Sequence, residues 1–267
     1  MIRRVLAHLR KHDWTSVAID LLIVVLGVFL GLQANNWNQA ASDRRAEAVY
    51  LSQLQGDLQR IEAEGRAQIE FEQFQGRLAG AVFDLIEHDR TSDRSRRIGM
   101  GLSQLTQRRT LRTESPTFVE LQGSGNLKII SDPALRADII SYFFYTRRLE
   151  AVIDKNNVTF VDEALVPFMP EAGLPARRWD DQLMGMRAPE GVRTSGAFLD
   201  ETYGGPLFQS QSAVLARAAN APSWAPVVTQ LTWRAHVAAV NESTARRLLD
   251  ATSVLRTRIA SRIDRAH

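Results

Sequence analysis

The hydrophobic pattern of the chain begins with one long apolar run. It extends from Trp14 to Trp37, and between Val17 and Leu32 every residue except Asp20 is apolar or glycine. At a rise of 1.5 Å per residue, this run is long enough to cross about 30 Å of hydrocarbon. A tryptophan at each end suits the boundary with the lipid headgroups. The pattern therefore predicts a transmembrane helix over residues 14–37, with Trp14 and Trp37 as membrane-interface anchors.

The next segment, residues 43–86, has helical spacing and contains no proline. Two apolar runs follow each other along it, and Gly65 lies in the gap between them. This spacing predicts a long helix that rises from the membrane, with a bend or a change of partner near Gly65. The first run is Leu51, Leu54, Leu58 and Ile61, and the second is Phe71, Phe74, Leu78, Val82 and Leu85.

Cap signals and helical spacing predict further helices in the rest of the chain. Ser115-Pro116 and Asp132-Pro133 each place a capping side chain before a proline at the first helical position. The predicted helices cover residues 96–109, 116–123, 133–164, 207–220 and 224–263. The predicted fold class is all-α, with one N-terminal transmembrane helix followed by an exported helical bundle.

Residues 167–206 differ in character, with five prolines and six glycines and few periodic runs. We therefore expect an irregular lobe here. A long loop of this kind usually packs on the body of the protein or binds a partner. Arg177, Arg178 and Trp179 form its candidate exported binding surface. The alternative is a solvated loop with one buried tryptophan.

The charge distribution predicts the orientation of the span. Four basic residues precede it, whereas the first charge after it is Asp43. An excess of Lys and Arg keeps its end of a span in the cytoplasm, so residues 1–13 would be a cytoplasmic tail. A cleaved signal peptide is the competing interpretation, but the apolar run is longer than usual, and the candidate cleavage sites are poor because Leu32 and Gln39 lie at their −3 positions. We expect a bacterial inner-membrane protein with an uncleaved anchor and a periplasmic C-terminal domain.

Composition excludes several function classes. Charges beyond the span are nearly balanced, which argues against nucleic acid as a partner. The absence of cysteine rules out disulfides, thiolate nucleophiles and Cys-ligated zinc. His88 and His236 are the candidate exported bases, and neither lies in a nucleophile motif. We therefore expect no catalytic site, no metal and no cofactor, and a hydrolase is the least favoured function.

One stripe of the predicted span carries small and polar residues. Asp20, Gly27, Gly31, Asn35 and Asn38 fall within about 80° of one another at 100° per residue. An acidic residue in a span is a functional candidate, and a G-x-x-x-G pair allows close helix contact. One interpretation is a helix interface with a second copy or another membrane protein. The other is that Asp20 reaches headgroup water and the glycines have no special role.

Two motifs resemble a family of uncharacterised single-span bacterial membrane proteins. The first combines an acidic residue early in the span, here Asp20, with a closing Leu-Gln-x-Asn-Asn-Trp-Asn at residues 32–38. The second lies in residues 117–144 and joins a Ser-Gly, a Leu-x-Ile-Ile and a Leu-Arg. The resemblance covers about the first half of the chain. It implies the topology and a helical fold and brings no activity with it.

The sequence thus predicts five regions: a tail over 1–13, a signal-anchor helix over 14–37, a long-helix bundle over 38–166, the irregular lobe over 167–206, and closing helices over 207–267. The favoured function is a non-enzymatic interaction or scaffold protein that associates through its span. Its expected partners are the lipid bilayer and a second copy or another inner-membrane protein. The alternative is a periplasmic small-ligand sensor that relays through a membrane partner.

Overall fold

The structure is a computed structural model of the 267-residue chain, and it describes residues 14–88, 90–174 and 215–265. For residues 14–18 and 20 it describes the backbone only. All regular secondary structure in these ranges is helical, which confirms the all-α fold class. The helices are α1 (Trp14–Glu87), α2 (Arg94–Leu105), α3 (Pro116–Gly123), α4 (Pro133–Asn156), α5 (Val166–Glu171) and α6 (Ala225–Asp264). Two short 3₁₀ helices cover Asn126–Ile129 and Pro222–Trp224, and a π-helix, Asn157–Leu165, joins α4 to α5.

Helix α1 is continuous over 74 residues, so the apolar run and the first helix of the bundle are one element. The helix does not end at Gly65, and α6 is its partner on both sides of that residue. A Cβ on Gly65 would lie only 2.8 Å from Cδ2 of Leu249 on α6. The glycine thus marks a close approach of two helices.

Side-chain caps place the starts of α3 and α4 as predicted. The Ser115 hydroxyl accepts a hydrogen bond from the amide of Phe118 at 3.0 Å. The Asp132 carboxylate accepts from the amides of Ala134 and Leu135 at 2.8 and 3.2 Å. Each cap satisfies amides that have no partner within the first turn.

The end of α1 is closed by Arg94 from the start of α2. Its guanidinium donates to the carbonyls of Leu85 at 2.6 Å and Ile86 at 2.8 Å. A third bond, 2.6 Å long, reaches the carbonyl of Arg217, and the group lies over the ring of Trp224. One buried side chain therefore satisfies the last carbonyls of the longest helix and joins α1 to the segment before α6.

Helix α6 runs antiparallel to α1 and, with α4 and α2, encloses two apolar cores. The first core is built on Leu51, Leu54, Leu58 and Ile61 of α1, which pack with residues of α3, α4 and α6. Phe118 and Phe143 stack within it at 4.3 Å between ring centroids. The second core, nearer the C-terminal end of α1, contains Leu78, Val82, Ile86, Ile98, Leu102, Trp224 and Leu231. Between these two cores, α1 contributes polar side chains.

Several predicted boundaries shift. The second helix begins two residues before 96 and ends at Leu105. The start of the predicted irregular lobe is helical, because α5 extends to Glu171. The chain is not helical over 216–220, where Asn220 takes a positive φ of 59°. The remainder of the lobe and of the predicted helix over 207–220 lies outside the described residues.

Candidate functional site

The first part of α1 stands free of the bundle. Among the described residues, α1 is the one helix long and apolar enough to cross a membrane, and none of its apolar window is buried. No heavy atom lies within 4 Å of a Cβ built on Gly27 or Gly31. Asn35 and Asn38 are also exposed. The small and polar stripe is therefore open along its described length.

The opposite face of this segment is equally uncovered. Leu21, Val25, Phe29 and Leu32 are each more than half exposed. A contiguous apolar surface of this size is unfavourable in water and marks a site that lipid or protein covers.

Few of the other sequence-predicted residues lie in the described part of the chain. Trp37 is 69% exposed on α1. The side chains of Trp14 and Asp20, and the whole of Arg177, Arg178 and Trp179, lie outside the described part. Of the two candidate bases, His88 lies 4.0 Å from Asp84 at the exposed end of α1. His236 meets the ring of Trp233 on α6 edge-on.

A buried ion pair lies between the two apolar cores, and the sequence interpretation missed it. Oε2 of Glu72 on α1 is 3.5 Å from Nη1 of Arg234 on α6, and both side chains are at most 1% exposed. Arg234 also donates to the carbonyls of Leu105 at 3.0 Å and Gln107 at 3.2 Å. The guanidinium therefore joins α6 to α1 and to the segment after α2.

Amide side chains surround this pair. Oε1 of Glu72 accepts from Gln68 at 2.8 Å and from Asn241 at 3.1 Å. Asn241 also donates to Asn157 at 3.3 Å and accepts from Asn156 at 2.9 Å. Because Asn156 and Asn157 lie where α4 becomes a π-helix, the network connects α1, α6 and that junction. Single π turns in helices are common at functional sites.

Several buried polar atoms in this layer have no hydrogen-bond partner among the described residues. They are Oε1 of Gln68, Gln75 and Gln104, together with Oε2 of Glu72 and Nη1 of Arg234, which face each other only as the 3.5 Å ion pair. Buried polar groups are nearly always satisfied, and leaving one unpaired costs about 1–3 kcal/mol. The layer therefore keeps hydrogen-bonding capacity that the described residues do not use.

The protonation equilibria of the pair reflect its burial. Removal from water raises the pKa of Glu72, against the attraction of Arg234 and the hydrogen bonds from Asn241 and Gln68. Burial likewise lowers the pKa of Arg234, against the attraction of Glu72. A pair of this kind contributes little to stability, because desolvation offsets the attraction between its charges.

A signal for this layer exists in the sequence. The buried positions of α1 keep one heptad spacing through Ile61, Gly65, Gln68, Glu72 and Gln75 to Ala79. Phe71 and Phe74, taken from the sequence as the core stripe, are only partly buried. If the heptad spacing is continued through these polar residues, and no new apolar run is begun at Phe71, Glu72 falls in the core.

The layer offers hydrogen-bond donors and acceptors and one titratable carboxyl. Within the described ranges no group of three or more His, Cys, Asp or Glu side chains could hold a metal ion. Chemically, the layer can hold a proton or bind water between two helices. Comparisons with family models, with curated proteins and with solved structures found no match for this chain.

Proposed function

We propose that this protein is a membrane-anchored, non-enzymatic interaction protein that associates through the first part of α1, with a second copy or with another membrane protein. The observation that carries the proposal is the unbroken helix with an uncovered apolar start. Orientation follows from the charges around the span, with residues 1–13 in the cytoplasm and the bundle outside the inner membrane. The resemblance to single-span bacterial membrane proteins agrees with this topology.

The open stripe supports association over a passive tether. With hydrogen atoms in place of side chains at Gly27 and Gly31, a second helix can approach the backbone closely. Asn35 continues the same stripe and can hydrogen-bond across such a contact. Asp20 belongs to it by position, and an acidic residue at this depth suits a partnered site.

Crosslinking in native membranes tests the proposal. The full-length protein is crosslinked, purified and compared with Gly27→Leu/Gly31→Leu and with Asp20→Asn. Loss of a specific crosslinked species in the glycine variant is the expected result, because leucine side chains hold the helices apart. Val25→Leu/Phe29→Leu changes the opposite face and is the matched control that retains the species. Equal yields from both pairs would contradict an interface on this stripe.

A second candidate is a sensor that relays through a membrane partner. It is favoured by the polar layer, because α1 carries both Glu72 and the apolar segment. A change of charge or hydration in the layer would move the helix that enters the membrane. Thermal unfolding of the full-length protein across a panel of polar small molecules tests it, and a specific rise in Tm would support it. An unchanged Tm across the panel would count against it.

A further inference from the structure

A pocket opens between α1 and the end of α6, close to the apolar segment. It has a volume of about 590 Å³, and its wall combines Ala41, Ala48, Leu51 and Ile263 with the side chains of several arginines. This size lies within the usual range for small-ligand sites, about 300–1,000 Å³. The lining thus offers both an apolar wall and cationic groups.

The cations of the pocket are Arg44, Arg45, Arg262 and Arg265, and its one acid is Glu47. Glu47 is only 5% exposed. Its carboxylate accepts from the Ser131 amide and hydroxyl, at 3.2 and 2.9 Å, and from Arg262, at 3.1 and 3.2 Å. Both of its oxygens are therefore occupied, and Arg262 balances its charge.

Two other arginines of the pocket lack an acidic partner among the described residues. Arg44 and Arg45 are exposed and form no ion pair or side-chain hydrogen bond with any other described residue. Arg265 donates to the carbonyl of Ser261 at 2.9 Å, and its charge helps to lower the pKa of Asp132. Elsewhere on α6, Arg256 pairs with Glu62 and Arg258 with Asp138.

The position of the pocket along α1 indicates what could enter it. Arg44 follows Trp37 by seven residues, which is about 10 Å along a helix. Side chains on a helix tilt toward its N-terminus, so those of Arg44 and Arg45 lean back toward the apolar segment. If Trp37 marks the membrane boundary, these guanidinium groups reach the level of the lipid phosphates.

We propose that this pocket binds the headgroup of an anionic phospholipid, with Arg44, Arg45 and Arg265 around its phosphate and the apolar wall against its glycerol and first acyl carbons. The proposal rests on the membrane anchoring proposed above. Guanidinium groups recognise phosphate through paired hydrogen bonds. An apolar wall beside them suits an amphipathic lipid better than a free phosphate ion.

Lipid binding by the purified full-length protein tests this site. The protein in mild detergent is titrated with phosphatidylglycerol, phosphatidylcholine and inorganic phosphate, and each complex is quantified by native mass spectrometry. We expect binding of phosphatidylglycerol in preference to the other two. Arg44→Gln/Arg45→Gln should lose about 25-fold in affinity for it, at about fivefold per arginine. Glutamine keeps the helix propensity at these exposed positions.

Arg147→Gln/Arg148→Gln is the matched control, since it removes the same charge from an exposed adjacent pair on α4. It should leave the affinity unchanged. Equal affinity in Arg44→Gln/Arg45→Gln and wild type, equal losses in both variants, or phosphate binding as tight as lipid binding would each overturn the proposal. Extraction of membranes at alkaline pH tests the anchor separately. Release of the protein from membranes refutes the anchoring, whereas retention with no lipid preference refutes only this pocket.

Discussion

Glu72 Oε2 and Arg234 Nη1 lie 3.5 Å apart across the contact between α1 and α6, in the most buried polar layer of the described protein. The two residues occupy heptad positions that leucine or isoleucine fills a few turns away. Burial disfavours both charges, and this predicts how each substitution affects stability.

Replacement of Arg234 should be much more harmful than replacement of Glu72. Arg234→Gln leaves the carbonyls of Leu105 and Gln107 without their donor and Glu72 without its cation, at a cost of about 3–5 kcal/mol. Glu72→Gln should cost less, because it keeps both bonds from Arg234 to backbone carbonyls and removes a charge that burial disfavours. Urea unfolding of the full chain in detergent measures both, and a larger loss in Glu72→Gln would contradict this account.

The pH dependence of Glu72→Gln provides a second measurement on the same pair. The pKa of Glu72 is raised in the folded state. The contribution of this carboxyl group to the free energy of unfolding is therefore fully present below the unfolded-state pKa, and it is lost as pH rises through the folded-state pKa. The stability of wild type relative to Glu72→Gln should therefore fall as pH rises. Glu70→Gln, on the exposed face of α1, is the matched control. A relative stability that rises with pH would show that Arg234 favours the carboxylate.

For Asp57 we expect the opposite dependence of stability on pH. Burial alone would raise its pKa, but hydrogen bonds from the Ser115 hydroxyl at 2.5 Å and the Thr117 amide at 3.1 Å outweigh it, so the pKa is lowered. Asp57→Asn should cost about 1–3 kcal/mol at neutral pH. This loss of stability should persist at every pH above the unfolded-state pKa of Asp, which is about 3.9. It should vanish as pH falls through the lower pKa that Asp57 has in the folded state.

Urea titrations of Asp57→Asn over a pH series measure this difference. Asp250→Asn serves as control, because Asp250 is exposed and has no hydrogen bond to any other described side chain. A cost for Asp57→Asn that does not change between neutral and strongly acidic pH would contradict the assignment of the effect to its carboxylate.

Two glycines of α1 should respond in opposite directions. Gly65→Val places new atoms against Leu249 and should destabilise the protein by roughly 1–3 kcal/mol. Gly56→Ala meets no atom within 4 Å and should stabilise it by up to about 1 kcal/mol through helix propensity. Thermal unfolding followed by circular dichroism compares the two. Equal shifts in Tm would show that α1 and α6 do not approach closely at Gly65.

Much of the fold follows from local signals. Ser115-Pro116 and Asp132-Pro133 place two helix starts because a cap and a proline act within one turn. Helix ends are less predictable from sequence: α2 stops at Leu105, and the guanidinium that closes α1 comes from Arg94 in the next helix.

The polar layer could not be predicted by searching for apolar periodicity. Glu72 and Arg234 are far apart in sequence, and each is an ordinary surface residue until the partner helix is in place. The pocket between α1 and the end of α6 depends in the same way on bringing Arg44 and Arg45 beside that end of α6. Local sequence indicates the elements, whereas these sites depend on contacts between elements.

Site-specific photo-crosslinking in living cells is the sharpest test of the proposed helix interface, because it captures any protein that contacts the first part of α1. A photoreactive residue is placed at Val24 or Asn35, on the stripe with Gly27 and Gly31, and at Val25 or Phe29 on the opposite face. We expect a discrete protein adduct, with a second copy or with another membrane protein, from positions 24 and 35 and none from 25 and 29. Adducts of equal yield from both faces, or no protein adduct from either, would contradict an interface on this stripe.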